Sequence, residues 1–173
     1  MRPAKKIFQA KRFAVEEVEE LLPDGSRLIR NIIRHPGAVV ILPLVSLDTI
    51  CMIETYRVAI DRWNLELPAG TLDKSLTPMM TAKLELQEET GFSCKTLTHV
   101  HTFAMSPGIL DEKMHFFVAS GLSAGNSDRE TGEQMENRLF TWGQVDRLLR
   151  DKIIIDAKSI ACLLWYMRYR TNA

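Results

Sequence analysis

Ala38-Val39-Val40-Ile41-Leu42 narrows what this chain can become more than any other stretch: five apolar residues in a row, set off by His35-Pro36-Gly37. A strand with one wet face alternates polar and apolar residues, so an unbroken run reads as a strand covered on both faces. Further structure must therefore lie on either side of it. Thr49 to Arg57, Thr96 to Ala104 and Met114 to Ser120 read as strands, and Pro78 to Thr90, Trp142 to Arg150 and Ala157 to Arg168 as helices. The two kinds mix without strict strand–helix–strand alternation, which predicts an α/β (α+β) fold. Upstream, Lys6 to Arg34 reads as two extended segments around the turn Pro23-Asp24-Gly25-Ser26. The expected division is an N-terminal hairpin over 1–36 and a main domain over 37–173. A hairpin of this size is not stable alone in water, so it must pack on its own domain or on a second chain.

Length and charge exclude several classes. A chain of 173 residues is one domain by default. Its 22 basic residues balance its 22 acidic ones, so no global field recruits nucleic acid or an anionic membrane. Nowhere do 18 apolar residues run together, and no apolar run follows the basic N-terminus (Arg2, Lys5, Lys6, Lys11, Arg12), so no membrane span or leader is expected. Cys51, Cys94 and Cys162 are odd in number and lack metal-type spacing, which argues against a disulfide framework or a zinc site. A soluble protein of the reducing cytoplasm is the expectation.

The helix at Pro78 carries the chemistry. Thr77 is a good N-cap, Pro78 occupies the first helical position where its missing N–H costs little, and Gly91 follows the last turn. Met79, Ala82 and Leu86 are expected on one side. Glu85, Glu88 and Glu89 stand at i, i+3 and i+4 and share a fan about 100° wide. Like charges so placed destabilise a helix by roughly 0.2–0.5 kcal/mol per pair, and the negative end of the helix dipole lies close by. Something positive should compensate, and a hard divalent cation such as Mg²⁺ prefers carboxylate oxygens. A solvated acidic face is the alternative reading of the same triplet. His99 and His101 share one face of a strand without further ligands nearby and read as ordinary packing or surface residues. The segment from Ser123 to Gln134, rich in Gly, Ser, Asn and acidic residues, reads as a long loop of the functional kind.

Gly70 to Phe92 resembles the Nudix box, G-x5-E-x7-R-E-U-x-E-E-x-G-U, at Gly70, Glu85, Leu86, Glu88, Glu89, Gly91 and Phe92. It departs at Leu76, where the pattern has its first glutamate, and at Leu84, where it has arginine. Arg34-His35-Pro36-Gly37-Ala38-Val39, Glu54-Thr55-Tyr56-Arg57, Glu66-Leu67-Pro68-Ala69-Gly70, Ser106-Pro107-Gly108 with Asp111-Glu112-Lys113, and Asp156-Ala157-Lys158 look like the ADP-ribose pyrophosphatase branch of that superfamily. The resemblance implies an α/β/α sandwich around a mixed sheet with a small N-terminal β element. It also implies hydrolysis of the diphosphate of a nucleoside diphosphate sugar, with ADP-ribose cut to AMP and ribose 5-phosphate as the leading case, aided by Mg²⁺ or Mn²⁺.

By the same resemblance Glu85 and Glu89 are metal ligands, with Glu88 as a further ligand or water-orienting catalytic group and the Ala69 backbone carbonyl as another ligand. The general base falls in the segment from Ser123 to Glu136, with Glu133 the first choice and Glu130 the second. Arg57 would grip phosphate, or else form a surface ion pair, and Glu112 would contact substrate or metal-bound water. Homologues of this branch dimerise through the N-terminal element, so a homodimer with substrate contacts from both subunits is expected. The loss of the charged partners at Leu76 and Leu84 keeps a second reading open: a degenerate Nudix domain that binds a nucleotide or a partner without turnover.

Overall fold

The computed structural model describes residues 4–126 and 134–169. Its centre is the strand the apolar run anticipated, β4 (Ala38–Pro43), buried at every position. Val39 and Ile41 pack with Ala82 and Leu86 of the box helix and with Phe117 and Ala119. Ala38, Val40 and Leu42 face a second, larger cluster that includes Ile50, Met52, Phe116, Cys162 and Leu163. One strand thus serves two cores, which is why no polar residue interrupts it.

Ten strands and three helices are formed among the described residues: β1 (Ala4–Gln9), β2 (Ala14–Leu21), β3 (Arg27–Arg34), β4, β5 (Thr49–Arg57), β6 (Arg62–Glu66), β7 (Ala69–Thr71), α1 (Pro78–Thr90), β8 (Phe92–Ala104), β9 (Lys113–Ala124), β10 (Met135–Thr141), α2 (Trp142–Arg150) and α3 (Ala157–Tyr169). β7-β4-β9-β8 form one sheet and β10-β5-β6 another. The first is mixed, since β4 runs parallel to β9 and antiparallel to β7. α1 covers one of its faces, while the smaller sheet and α3 close the other. This is the expected layered α+β sandwich. No helix among the described residues is long and apolar enough to cross a membrane.

The N-terminal element differs from the expected hairpin. β1, β2 and β3 make a three-stranded antiparallel meander in that order. The extra reversal lies between β1 and β2, where the Ala10 N–H donates to the Phe13 carbonyl at 2.8 Å. No Gly or Pro marks that turn, so the local signal used for the other was missing. The meander joins the body where the Ile33 N–H donates to the Ile109 carbonyl (2.8 Å) and Arg34 pairs with Asp111 (3.0 Å).

α1 begins and ends as its caps require. The Thr77 hydroxyl accepts from the Met80 N–H, and Gly91 closes the helix at φ 76°, a left-handed conformation that favours glycine. Asn137 of β10 donates to the Thr90 carbonyl at 2.7 Å, satisfying one of the helix's last acceptors. Met79, in the first turn, is 45% exposed, while the buried residues of the helix are Thr81, Ala82, Leu86, Glu89 and Thr90. Ala82 and Leu86 pack into the core cluster that Met79 does not join.

Candidate functional site

Burial of Glu89 distinguishes this helix from one with a merely wet acidic face: it is 5% exposed and its Oε2 accepts from the Ala69 N–H at 2.9 Å. A carboxylate withdrawn from water this far requires donors or a cation. Glu85, one turn earlier, lies against Gly70 so closely that a Cβ there would overlap its carboxyl group. Glycine at position 70 therefore makes room for the glutamate rather than merely permitting a turn. Glu88 points toward Lys74 of the β7–α1 loop, at 3.8 Å.

The three glutamates, Ala69 and Gly70 line a cavity of about 640 Å³, and so do Arg57 from the end of β5, Glu112, and Asp156 and Lys158 at the start of α3. The structure therefore brings Ala69, Glu85, Glu88, Glu89, Arg57 and Glu112 around one space. Glu112 also lies 3.5 Å from the His35 ring, both side chains being largely buried. Glu130 and Glu133 lie outside the described residues; Gln134, the next residue along, lines the cavity. His99 and His101 do not line it. His99 and His115 share the Thr102 hydroxyl, at 2.9 and 3.0 Å, on the β8–β9 pair.

The donor set fits a divalent metal ion. Carboxylates of Glu85, Glu88 and Glu89 beside a backbone turn offer hard oxygens, and the missing Cβ of Gly70 leaves the space that Glu85 needs. Among the described residues no three His, Cys, Asp or Glu side chains are drawn together tightly enough to coordinate an ion as they stand. The reason is visible in their partners, since Glu89 turns to the Ala69 amide and Glu88 toward Lys74. No basic residue occupies the last turn of α1, and position 84, where the box has arginine, is Leu84.

Behind Arg57, Asp156 and Lys158 of the cavity wall lies a buried carboxylate. Glu66, 1% exposed at the end of β6, accepts two hydrogen bonds from Arg57, from Nε to Oε1 and from Nη2 to Oε2, each 2.8 Å. Asn64 donates to Oε1 at 3.0 Å and Lys158 Nζ to Oε2 at 2.5 Å. Lys158 also reaches Asp156 at 2.9 Å. Burial alone would push the Glu66 carboxyl up, but the Arg57 and Lys158 bonds outweigh it and hold the group down at about 2. Arg57 is correspondingly raised by Glu66, with Glu89 and Asp156 adding to the effect. The expectation for Arg57 left a phosphate grip and a surface ion pair open; its pair with Glu66 is half-buried rather than a surface contact, and its guanidinium still borders the cavity.

Glu66, Asp156 and Lys158 received no role from sequence. Leu65-Glu66-Leu67 carries a hint, a carboxylate between two leucines, but its partner at Lys158 is 92 residues away.

A family model described as NUDIX domain matches residues 34–163. Over 147 residues the chain is 39% identical to the ADP-ribose pyrophosphatase of Bacillus subtilis (strain 168), covering 84% of this chain and 78% of that one. It is 37% identical over 154 residues to the methanol dehydrogenase activator of Bacillus methanolicus, covering 86% of this chain and 80% of that one. Among solved structures, an ADP compounds hydrolase superposes with a TM-score of 0.82 at 23% identity, over 98% of this chain and 95% of that one, a likeness of fold.

Proposed function

The chain belongs to the Nudix family, in its ADP-ribose pyrophosphatase-like branch, and from that premise we propose that it hydrolyses ADP-ribose to AMP and ribose 5-phosphate with Mg²⁺. The coarser statement, a pyrophosphohydrolase acting on a nucleoside diphosphate compound, follows from the family and its relatives. The observation that carries the finer reading is the pairing of hard oxygen donors with cationic side chains around one cavity, as a metal-assisted diphosphate cleavage needs.

In this reading Glu85, Glu88 and Glu89, with the Ala69 carbonyl, hold the divalent ion. An ion held there would supply Lewis-acid chemistry, offsetting charge on the phosphoryl oxygens and making water a better nucleophile. The chain's own groups do the rest. Arg57 donates to a phosphate oxygen from a guanidinium already fixed by Glu66, so little ordering remains when substrate arrives. Glu112 contacts substrate or its water, and a glutamate of the segment before Gln134, Glu133 ahead of Glu130, takes the proton from the attacking water.

The protein acts as a homodimer in this reading, joined through the N-terminal meander as a separate element over 1–36. The support is physical: Ile7, Phe8, Leu21 and Ile29 of that small sheet are each about half exposed or more, and three strands with so much open apolar surface gain by covering it. Cys51, Cys94 and Cys162 form no disulfide, which suits the cytoplasm.

The test is a panel of ADP-ribose and other nucleoside diphosphate sugars with Mg²⁺ or Mn²⁺, read by release of the nucleoside monophosphate. Preference for ADP-ribose supports the reading. Turnover of another nucleotide sugar at a tenfold higher kcat/KM would replace the substrate, and no turnover at all would overturn it.

A further inference from the structure

Lys158 is 9% exposed, yet it lines the cavity. Burying an ammonium this deeply is unfavourable unless its hydrogens are bonded, and two of its three N–H groups are accounted for by Glu66 and Asp156. Both acceptors are themselves fixed. Asp156 caps α3, its Oδ2 accepting from the Ser159 N–H at 3.0 Å and from the Ser159 hydroxyl at 2.5 Å. The Ser159 hydroxyl in turn accepts from the Leu67 N–H at 2.7 Å, which ties the start of α3 to the chain just after Glu66. Glu66 is held from the other side by Arg57 and Asn64. The lysine therefore has neither rotamer freedom nor a bulk-water shell, and among the described residues its third N–H has no acceptor, which leaves it for a ligand in the cavity.

We propose that Lys158 is a second phosphate-binding residue, acting beside Arg57, with Glu66 as the shared carboxylate that aims both cations at a nucleoside diphosphate. This rests on the reading of the cavity as a diphosphate site. Two donors on one rigid acceptor suit a ligand with two adjacent phosphoryl groups. Glu66 and Asp156 balance Arg57 and Lys158 in charge, so the gain comes from donors already pointing the right way rather than from a surplus of positive charge.

The experiment is calorimetric binding of the non-hydrolysable α,β-methylene analogue of ADP, with Mg²⁺ present, to the wild-type chain, Lys158→Gln and Lys158→Arg, alongside KM and kcat for ADP-ribose. Loss of a charge-assisted bond to phosphate predicts roughly 10- to 100-fold weaker binding for Lys158→Gln, with partial rescue by Lys158→Arg. Binding by Lys158→Gln within about twofold of wild type overturns the proposal. Should Lys158→Gln not fold, the Lys158 side-chain ¹⁵N resonance of the wild type decides: a shift on adding the analogue supports the contact, and no shift overturns it. A wild type that neither binds the analogue nor hydrolyses any nucleotide sugar sinks the functional reading together with this one. Hydrolysis by a wild type whose Lys158→Gln variant binds normally sinks the lysine's role alone.

Discussion

Replacing Glu66 with glutamine keeps the shape of the side chain and removes its charge, leaving Arg57 and Lys158 to share a neutral amide. The carboxyl is held at about 2 against an ordinary 4.5, a difference that corresponds to roughly 3 kcal/mol of folded-state stabilisation for a buried group. Removing one partner of a buried ion pair independently leads to about 3–5 kcal/mol. Glu66→Gln should thus lose roughly 3 kcal/mol at neutral pH, lowering Tm by about 6–12 °C for a domain of this size. The pH dependence gives a sharper test. Because the folded-state value is depressed, the contribution is complete above about pH 4.5 and disappears as pH falls toward 2. Urea unfolding of the wild type and Glu66→Gln should show a constant gap from pH 7 to pH 5, shrinking to about half or less at pH 3. A gap below about 1 kcal/mol at pH 7, or one unchanged at pH 3, would refute the account of this network.

Three further outcomes can be checked on single variants. Gly70→Ala places a methyl group where the Glu85 carboxyl lies, so it should lose about 1–3 kcal/mol and at least tenfold in kcat/KM; wild-type stability and turnover together would show that Glu85 is free to move. Thr77→Ala removes the N-cap of α1 and should lower stability by about 1 kcal/mol in urea unfolding, while an unchanged midpoint would mean the cap contributes nothing. Light scattering at micromolar concentration should give a dimeric mass for the wild type and a smaller one for Ile29→Lys, and a monomeric wild type would contradict the role given to the N-terminal sheet.

β4, β5 and the three helices were legible because their signals are local. An apolar run without interruption, a Thr-Pro start and a Gly stop each act within a few residues of themselves. β7 is only Ala69–Thr71, directly after Pro68, and β10 begins Met-Glu-Asn-Arg without alternation, so neither has a period to detect; they are strands because β4 and β5 pair with them. The same division holds at the site. Glu85, Glu88 and Glu89 declared a common face through helical spacing, and the cavity gathers all three. The depth of Glu89 was not legible, since it depends on the Ala69 amide, 20 residues away in sequence. Glu66, Lys158 and Asp156 were invisible as a group because β6 and α3 meet only through the tertiary fold.

The most direct measurement is AMP release from ADP-ribose by wild-type protein with Mg²⁺, by the same protein stripped of divalent metal, and by Glu85→Gln and Glu89→Gln. Turnover by the metal-loaded wild type, with losses of at least 100-fold on stripping and in each variant, is the expected result. Metal-independent release, or a fully active Glu89→Gln, would contradict the assignment of these carboxylates as the site's metal-binding wall.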